Sequence, residues 1–256
     1  MLAVTPFNFT AIGGNLPAAP VMLGNVCLWK PSPLAVLSNY LFLQILHEAG
    51  LPKNIIQFIP GSPEMICNTC FKHPDFASLH FTGSTAVFKH LWKEIASNID
   101  TLKAYPRIVY VPSYLLLFSR HICIGRGETG GKNFHLIHPS ADLHAAVLQS
   151  IRGAFEYQGQ KCSALSRLYV PESLWPEFEE KIQAECKKIK LGSQEDGTNF
   201  MGPVISKQSF DKITSYIEKA KKAGGEIITG GGCEYIVLLA LYKLMLRDQL
   251  ICRPVS

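Results

Sequence analysis

Strand-like and helix-like segments alternate through about the first hundred residues, and this alternation limits the fold more than any other feature. "NVCLWK" (25–30) is typical of a short buried strand. Ser32 suits an N-cap, and the helix after it is expected to bury Leu34, Leu37, Leu41 and Ile45. The same unit repeats twice before residue 99. Such connections are right-handed crossovers, so the sequence predicts an α/β fold with a Rossmann-like parallel sheet that carries helices on both faces.

Longer amphipathic segments begin near Lys132 and indicate a second α/β domain. Residues 175 to 189 place their apolar side chains on one helical face, and residues 206 to 223 do the same. We therefore expect the first domain to cover 1–131 and the second to cover 132–233.

Two apolar stretches fit neither pattern. Residues 110–126 are interpreted as a foreign insertion, whose end is expected to replace Ile108 and Val109 in the sheet. Residues 234–256 are interpreted as a divergent, amphipathic or disordered tail. The apolar run in this tail reaches only about half of the roughly 20 residues that a membrane-spanning helix needs. A membrane anchor is therefore not expected.

Charge and cysteine usage exclude further classes of protein. The chain has 25 Lys+Arg against 20 Asp+Glu, and its basic residues are dispersed, so nucleic acid is not an expected partner. The sequence opens without a secretory signal, and its eight cysteines are expected to be reduced. Cys67 and Cys70 form a CxxC motif without a second pair of ligands. We expect this pair to pack on a helix and to bind no metal.

A single cysteine, Cys162, stands among small and polar residues in "EYQGQKCSAL". Free cysteines are among the most buried residue types, so this thiol is either inert packing or a nucleophile. Its immediate neighbours do not decide between the two. The decision depends on motifs elsewhere in the chain.

Five separated motifs decide the question together. They are "TPFNFT" (5–10), "LWKPSP" (28–33), "HFTGST" (80–85), "GETGGKNFH" (127–135) and "FEYQGQKCSALSRLYVP" (155–171). In this order they resemble the motifs of the aldehyde dehydrogenase superfamily, and their amino-acid sequences resemble those of its Δ1-pyrroline-5-carboxylate dehydrogenase branch. The resemblance covers residues 3 to about 109 and 127 to about 233. It implies an NAD-binding domain followed by a catalytic domain that carries the nucleophile.

The resemblance implies that the cofactor is NAD, held by residues of the first domain. Lys30 would hydrogen-bond the adenosine ribose, and Thr5 would line the nicotinamide side. "FTGS" follows a strand and opens a helix, so backbone N–H groups at the positive helix end would face the diphosphate, near Gly83, Ser84 and Thr85. Phe88 replaces a glycine that the superfamily has later in this loop. Without the family match, Lys30 is a solvated lysine and the turn is an ordinary helix cap.

The resemblance also implies three catalytic residues. Cys162 would be the nucleophile that adds to the aldehyde. Asn8 would donate a hydrogen bond to the resulting oxyanion, together with the backbone N–H of the nucleophile. Glu128, in a flexible glycine-rich stretch, would activate the water that hydrolyses the thioester. The residues alone leave open a turn-stabilising Asn8 and a solvated Glu128.

The activity implied is NAD-dependent oxidation of L-glutamate γ-semialdehyde, the open form of 1-pyrroline-5-carboxylate, to L-glutamate. This step belongs to proline catabolism in the mitochondrial matrix, and the partner is a small-molecule aldehyde. Family members are homo-oligomers that extend before Leu2 and beyond Cys233. We therefore expect a truncated chain that lacks oligomer contacts and has little activity. Two alternatives stay open: a silent fragment that binds NAD or full-length subunits, and an aldehyde dehydrogenase of another substrate class.

Overall fold

The computed structural model describes residues 1–106, 109–110, 126–234, 237–246 and 249–254. The chain forms two compact units, Met1–Gly130 and Gly131–Ser256. The helices are α1 (Thr10–Met22), α2 (Val36–Glu48), α3 (Pro63–Phe71), α4 (Thr85–Ser97), α5 (Leu143–Phe155), α6 (Trp175–Cys186) and α7 (Lys207–Lys222). The strands are β1 (Leu2–Val4), β2 (Cys27–Lys30), β3 (Ile56–Phe58), β4 (Leu79–Thr82), β5 (Val109–Tyr110), β6 (Arg126–Glu128), β7 (Asn133–Leu136), β8 (Leu165–Tyr169), β9 (Glu226–Glu234), β10 (Val237–Leu246) and β11 (Gln249–Pro254).

The first unit is built on a six-stranded sheet in the order β3-β2-β1-β4-β6-β5. Every pair of neighbouring strands in this sheet runs parallel. The first four strands alternate with the first four helices along the chain. This arrangement confirms the predicted α/β fold with a parallel sheet.

Successive side chains of β1 enter two different cores, because neighbouring residues of a strand point to opposite faces. Leu2 and Val4 lie in a cluster with Phe71 of α3 and with apolar residues of α4. Ala3 lies in a second cluster, which contains Leu43 of α2. Helices therefore cover both faces of the sheet, as an all-parallel sheet requires.

The buried face of α2 differs from the prediction. The helix begins at Val36, because the carbonyl of Ser32 accepts a hydrogen bond from the N–H of Ala35 (3.0 Å) and closes a turn. The residues that α2 buries are Asn39 and Leu43. The side chains expected in the core are instead 49% to 70% exposed, and they are Leu34, Leu37, Leu41 and Ile45.

Two glycines of α1 explain which face α2 buries. A Cβ atom at Gly13 would lie 2.3 Å from Oδ1 of Asn39, and one at Gly14 would lie 2.4 Å from the Phe42 ring. The two helices thus touch where only glycine leaves room for the side chains of α2. Apolar residues occur on most sides of α2, so this contact, and not the apolar periodicity, selects the buried face.

The second unit contains a mixed five-stranded sheet in the order β7-β8-β11-β10-β9. Strands β7 and β8 are parallel, and the other neighbours are antiparallel. The predicted apolar face of α6 is confirmed, because Phe178, Ile182 and Cys186 all lie in the core. Helix α7 begins after Ser206, whose hydroxyl accepts a hydrogen bond from the N–H of Ser209 (3.2 Å).

The end of the chain contains strands that the sequence does not predict. β10 and β11 form an antiparallel pair, and β11 also pairs with β8, where Cys252 lies opposite Leu168. The interpretation of 234–256 as an amphipathic or disordered tail is therefore wrong. A short continuous apolar run fits a strand as well as a helix, so periodicity does not separate the two. Within the described part of the chain, no helix is long and apolar enough to cross a membrane.

Most of the apolar stretch 110–126 lies outside the described residues. Before it, Val109 and Tyr110 form β5 at the edge of the sheet, and β5 pairs in parallel with β6. Strand β6 in turn pairs with β4. Val109 thus stays in the sheet, at its edge, and β6, which includes Arg126 from the end of the apolar stretch, takes the position beside β4. The rest of the predicted replacement lies outside the described residues. Ile108 lies outside the described residues.

Candidate active site

Four of the predicted site residues lie at the carboxyl edge of the parallel sheet. Lys30 ends β2 and Glu128 ends β6, while Thr5 follows β1 and Gly83 follows β4. These four strands are consecutive in the sheet. The carboxyl ends of parallel strands share one edge, and open α/β sheets bind their ligands there. The parallel sheet thus gathers residues that are far apart in the sequence.

Hydrogen bonds fix Thr5 beside Lys30. The backbone N–H of Thr5 donates to the carbonyl of Lys30 (3.2 Å). The indole N–H of Trp29 donates to Oγ1 of Thr5 (3.0 Å). Both Trp29 and Thr5 are buried, so the core determines where the threonine hydroxyl points.

Lys30 carries a buried ammonium group. Lys30 is only 3% exposed, so it is not a solvated surface lysine. Desolvation lowers the pKa of Lys30, because burial disfavours the charged form. Among the residues whose side chains are described, no carboxylate forms an ion pair with it. A buried ammonium is stabilised by hydrogen-bond acceptors, which a polar ligand at the sheet edge can supply.

Gly83 and Glu128 meet where β4 and β6 end. The N–H of Gly83 donates to the carbonyl of Glu128 (3.0 Å), and Thr82 lies opposite Glu128 in the strand ladder. The side chain of Glu128 is half-buried. The sheet therefore fixes the backbone of Glu128 just before the chain enters the glycine-rich stretch.

Helix α4 begins directly after this point. Ser84 is its N-cap, and the hydroxyl of Ser84 accepts a hydrogen bond from the N–H of Val87 (3.3 Å). The first N–H groups of a helix have no partner within the helix, and they form the positive end of its dipole. Ser84 is exposed and Thr85 is half-buried. An anion can therefore reach this end of α4.

A contact between Phe88 and Gly127 was missed by the sequence reasoning. Phe88 is 3% exposed, and a Cβ atom at Gly127 would lie 2.1 Å from its ring. Phe81 and Trp92 flank this ring, with centroids 5.6 and 5.5 Å away. Phe88 thus supports the strand that carries Glu128. A large apolar residue on a helix and a glycine in a strand were the available signals, but nothing in the sequence links them.

Asn8 lies in a bend between β1 and α1. It is half-buried and follows Thr5 by three residues, on the side of the sheet where β1 ends. Phe9 is the N-cap of α1, and its carbonyl accepts a hydrogen bond from the N–H of Gly13 (3.0 Å). Asn8 thus lies between the end of a central strand and the start of a helix.

Cys162 belongs to the second unit, whereas the other predicted site residues belong to the first. It is half-buried in a turn that precedes β8. The side-chain amide of Asn133 donates to the backbone carbonyl of Cys162 (2.9 Å). The N–H of Ala164 donates to the carbonyl of Lys161 (3.1 Å) and closes the turn. The backbone of Cys162 is thereby tied to the first residue of β7.

Burial sets other cysteines apart from Cys162. Cys27, Cys67 and Cys186 are at most 5% exposed. Desolvation raises their pKa values to about 11, about 11 and about 12. Cys67 lies on α3 and in the core, and burial also raises the pKa of Cys70, which agrees with packing as the role of the CxxC pair. Among the described residues, no group of three potential ligands could hold a metal ion.

Comparison with known proteins identifies relatives along nearly the whole chain. The model of the aldehyde dehydrogenase family matches residues 1–105 and 119–237. The chain is 56% identical to the Delta-1-pyrroline-5-carboxylate dehydrogenase of Agaricus bisporus, over 90% of its own length and 39% of that protein's. It is 45% identical to the mitochondrial enzyme of that name from Homo sapiens, over 91% of its own length and 38% of that protein's. The chain thus spans about two fifths of the length of the curated relatives it matches.

Solved structures show the same similarity. The Delta-pyrroline-5-carboxylate dehydrogenase from Mycobacterium tuberculosis bound with NAD has a TM-score of 0.83 and 38% sequence identity. That match covers 93% of this chain and 42% of the other. The 1-pyrroline-5-carboxylate dehydrogenase from Thermus with bound NAD has a TM-score of 0.79 and 27% identity, over 94% of this chain and 44% of the other. The resemblance that the five motifs predict is confirmed.

Proposed function

Because this chain belongs to the aldehyde dehydrogenase family, we propose that it holds the cofactor and nucleophile sites for NAD-dependent oxidation of L-glutamate γ-semialdehyde to L-glutamate. The observation that carries the proposal is the set of polar groups at the ends of four consecutive strands. The names of the relatives support the substrate. Those from Emericella nidulans and Homo sapiens are named mitochondrial, which supports the mitochondrial matrix as the compartment.

The residues at the sheet edge fit NAD. The buried ammonium of Lys30 is suited to a ribose hydroxyl, which accepts the hydrogen bond that no carboxylate of the described residues accepts. The N-terminus of α4, reached through Gly83, Ser84 and Thr85, is suited to the diphosphate. Thr5 lies beside Lys30 at the same edge and would line the nicotinamide side.

When bound, NAD supplies the hydride acceptor of the reaction. The thiolate of Cys162 forms a bond from sulfur to the aldehyde carbon, and the amide of Asn8 donates to the oxygen that gains the charge. Transfer of hydride from that carbon to the acceptor that NAD would supply leaves a thioester on Cys162. Glu128 takes a proton from the water that attacks the thioester carbon. The carbon–sulfur bond then breaks, which releases L-glutamate and restores the thiolate.

The test is NADH formation by residues 1–256 with 1-pyrroline-5-carboxylate and NAD. We expect Cys162→Ala to abolish aldehyde-dependent NADH formation while NAD still binds, because the first unit does not contain this residue. A wild-type chain that binds NAD but forms no NADH would favour the silent-fragment alternative. Turnover of other aldehydes, without turnover of this one, would favour another substrate class.

Lys30→Met is expected to weaken NAD binding about 10- to 100-fold. Methionine keeps the buried stem but removes a charge-assisted hydrogen bond, whose contribution is about 1.5–3 kcal/mol. Titration calorimetry measures the change in Kd. Lys72→Met, at an exposed lysine of the same unit, is the matched control for the loss of one charge. Equal affinity of wild type and Lys30→Met would place the ribose elsewhere.

A further inference from the structure

The backbone just before Cys162 takes a conformation that ordinary residues avoid. Tyr157 has φ 56° and ψ 37°, and Gln158 has φ 56° and ψ 27°. Gly159 follows with φ 68°. The left-handed region costs a residue with a side chain about 1–2 kcal/mol, and such strain persists only where the surroundings enforce it. Surrounding groups must therefore hold this left-handed segment, residues 157–159, in place.

The side chain of Gln160 makes the connection. Its Nε2 donates to the carbonyl of Tyr157 (3.3 Å), and its Oε1 accepts from the backbone N–H of Ile205 (2.9 Å). The backbone N–H of Gln160 also donates to the carbonyl of Tyr157 (3.1 Å). One amide thus ties the left-handed segment to the chain just before α7.

Two further contacts support the same segment. The side-chain amide of the buried Gln158 lies 3.2 Å from Nε2 of Gln160 on one side and 2.6 Å from the backbone nitrogen of Gly202 on the other. Glu156 forms an ion pair with Lys161 across the segment, and the hydrogen bond from Lys161 lowers the pKa of Glu156. The residue after this ion pair is Cys162. The carbonyl of Cys162 accepts a separate hydrogen bond from the side chain of Asn133 on β7 (2.9 Å).

We propose that Gln160 is a positioning residue for Cys162, and that its amide holds the left-handed segment so that the following turn presents the thiol in one place. The proposal rests on the proposed function, because it takes Cys162 as the nucleophile. Attack on an aldehyde depends on a fixed sulfur position, and a displacement of about 1 Å can lower the rate about a hundredfold. Gln160 acts only through the backbone. An amide suits the role because it donates to one carbonyl and accepts from one N–H at the same time.

The variant that tests this is Gln160→Met, which has a similar shape but neither hydrogen bond. The matched control is Gln149→Met, at an exposed glutamine on α5 of the same unit. Hydrogen exchange is measured at the amides of residues 157–164 and of Ile205. In Gln160→Met these amides are expected to exchange at least tenfold faster, while those of β8 beyond Leu165 and of α6 are unchanged. The control variant is expected to match the wild type throughout.

Cysteine alkylation is the second readout. In Gln160→Met the turn opens, so iodoacetamide is expected to modify Cys162 at least fivefold faster, relative to Cys186 of the same unit as an internal reference. A merely structural role would lower thermal stability and change both cysteines alike. Unchanged alkylation of Cys162 together with unchanged exchange over 157–164 would overturn the proposal.

Gln160→Glu covers the case in which the methionine variant does not fold. A glutamate still offers an acceptor oxygen to the N–H of Ile205 but loses the donor to Tyr157. Exchange is expected to stay slow at Ile205 and to rise at 157–160, and unchanged exchange at 157–160 would refute the role of Gln160. These measurements need neither NAD nor aldehyde. A chain without NADH formation would therefore count against the proposed function and leave this result standing.

Discussion

Iodoacetamide at pH 8 is expected to alkylate Cys162 at least a hundredfold faster than Cys27, Cys67 or Cys186. The thiolate is the reactive form, and a thiol with a pKa of about 11 is thiolate in only about one molecule per thousand at pH 8. The three slow thiols are also closed off by the core, whereas Cys162 lies in a half-buried turn that the reagent can reach.

Peptide mapping by mass spectrometry follows each cysteine separately. As the pH rises from 8 toward 10, alkylation of Cys27 and Cys67 is expected to accelerate about tenfold per pH unit, because the pH stays below the pKa of about 11 of both thiols. A sample unfolded in guanidinium controls for local sequence, and there the difference between the cysteines should vanish. Preferential alkylation of Cys27, Cys67 or Cys186 in the folded chain would contradict the assignment of Cys162 as the nucleophile.

Gly127→Ala is expected to destabilise the first unit by about 2–3 kcal/mol. The new Cβ atom would lie 2.1 Å from the Phe88 ring, and the ring is enclosed by Phe81 and Trp92. Overpacking of this kind costs about 1–3 kcal/mol, and the clash here is with a rigid ring. In a chain of this size the midpoint of thermal unfolding should fall by roughly 5–10 °C. Circular dichroism during heating measures the change.

The same strand region provides the control. Gly130→Ala adds a Cβ atom that meets nothing within 4 Å, so its midpoint should stay within about 2 °C of the wild type. Phe88→Leu in the Gly127→Ala background should recover part of the loss, since the smaller side chain leaves room for the methyl group. A Gly127→Ala chain as stable as the Gly130→Ala chain would show that Phe88 can move, and that it does not fix the strand before Glu128.

Local signals predicted much of the first unit. The alternation of strands and helices predicted the parallel sheet, and Ser84 caps α4 through its hydroxyl group, whereas Ala35 and not the predicted Ser32 is the N-cap of α2. The buried face of α2 could not be predicted in this way, because it depends on the contact of Gly13 with Asn39. Such a contact joins two helices that the sequence describes only one at a time.

The candidate site, too, could be predicted only in part from the sequence. Sequence motifs supplied the residue types at the sheet edge, and the roles of Asn8, Glu128 and Cys162 stay predictions. What the motifs did not supply is the support behind them. Gln160 reaches the N–H of Ile205, 45 residues away, and Asn133 reaches the carbonyl of Cys162, 29 residues away. A hydrogen bond between distant residues has no local pattern, so only the folded chain reveals it.

The outward face of α2 has a consequence for how this sequence can diverge. Leu37 and Ile45 are 70% and 60% exposed, so a lysine or glutamate at either position would leave the interior of the first unit unchanged. Mutation alone would replace such leucines and isoleucines readily, since surface substitutions usually change stability by less than about 0.5 kcal/mol. Folding of this unit therefore imposes no selection for apolar residues there. Folding does select for glycine at Gly13 and Gly14 on the neighbouring helix, because any side chain at either position displaces α2.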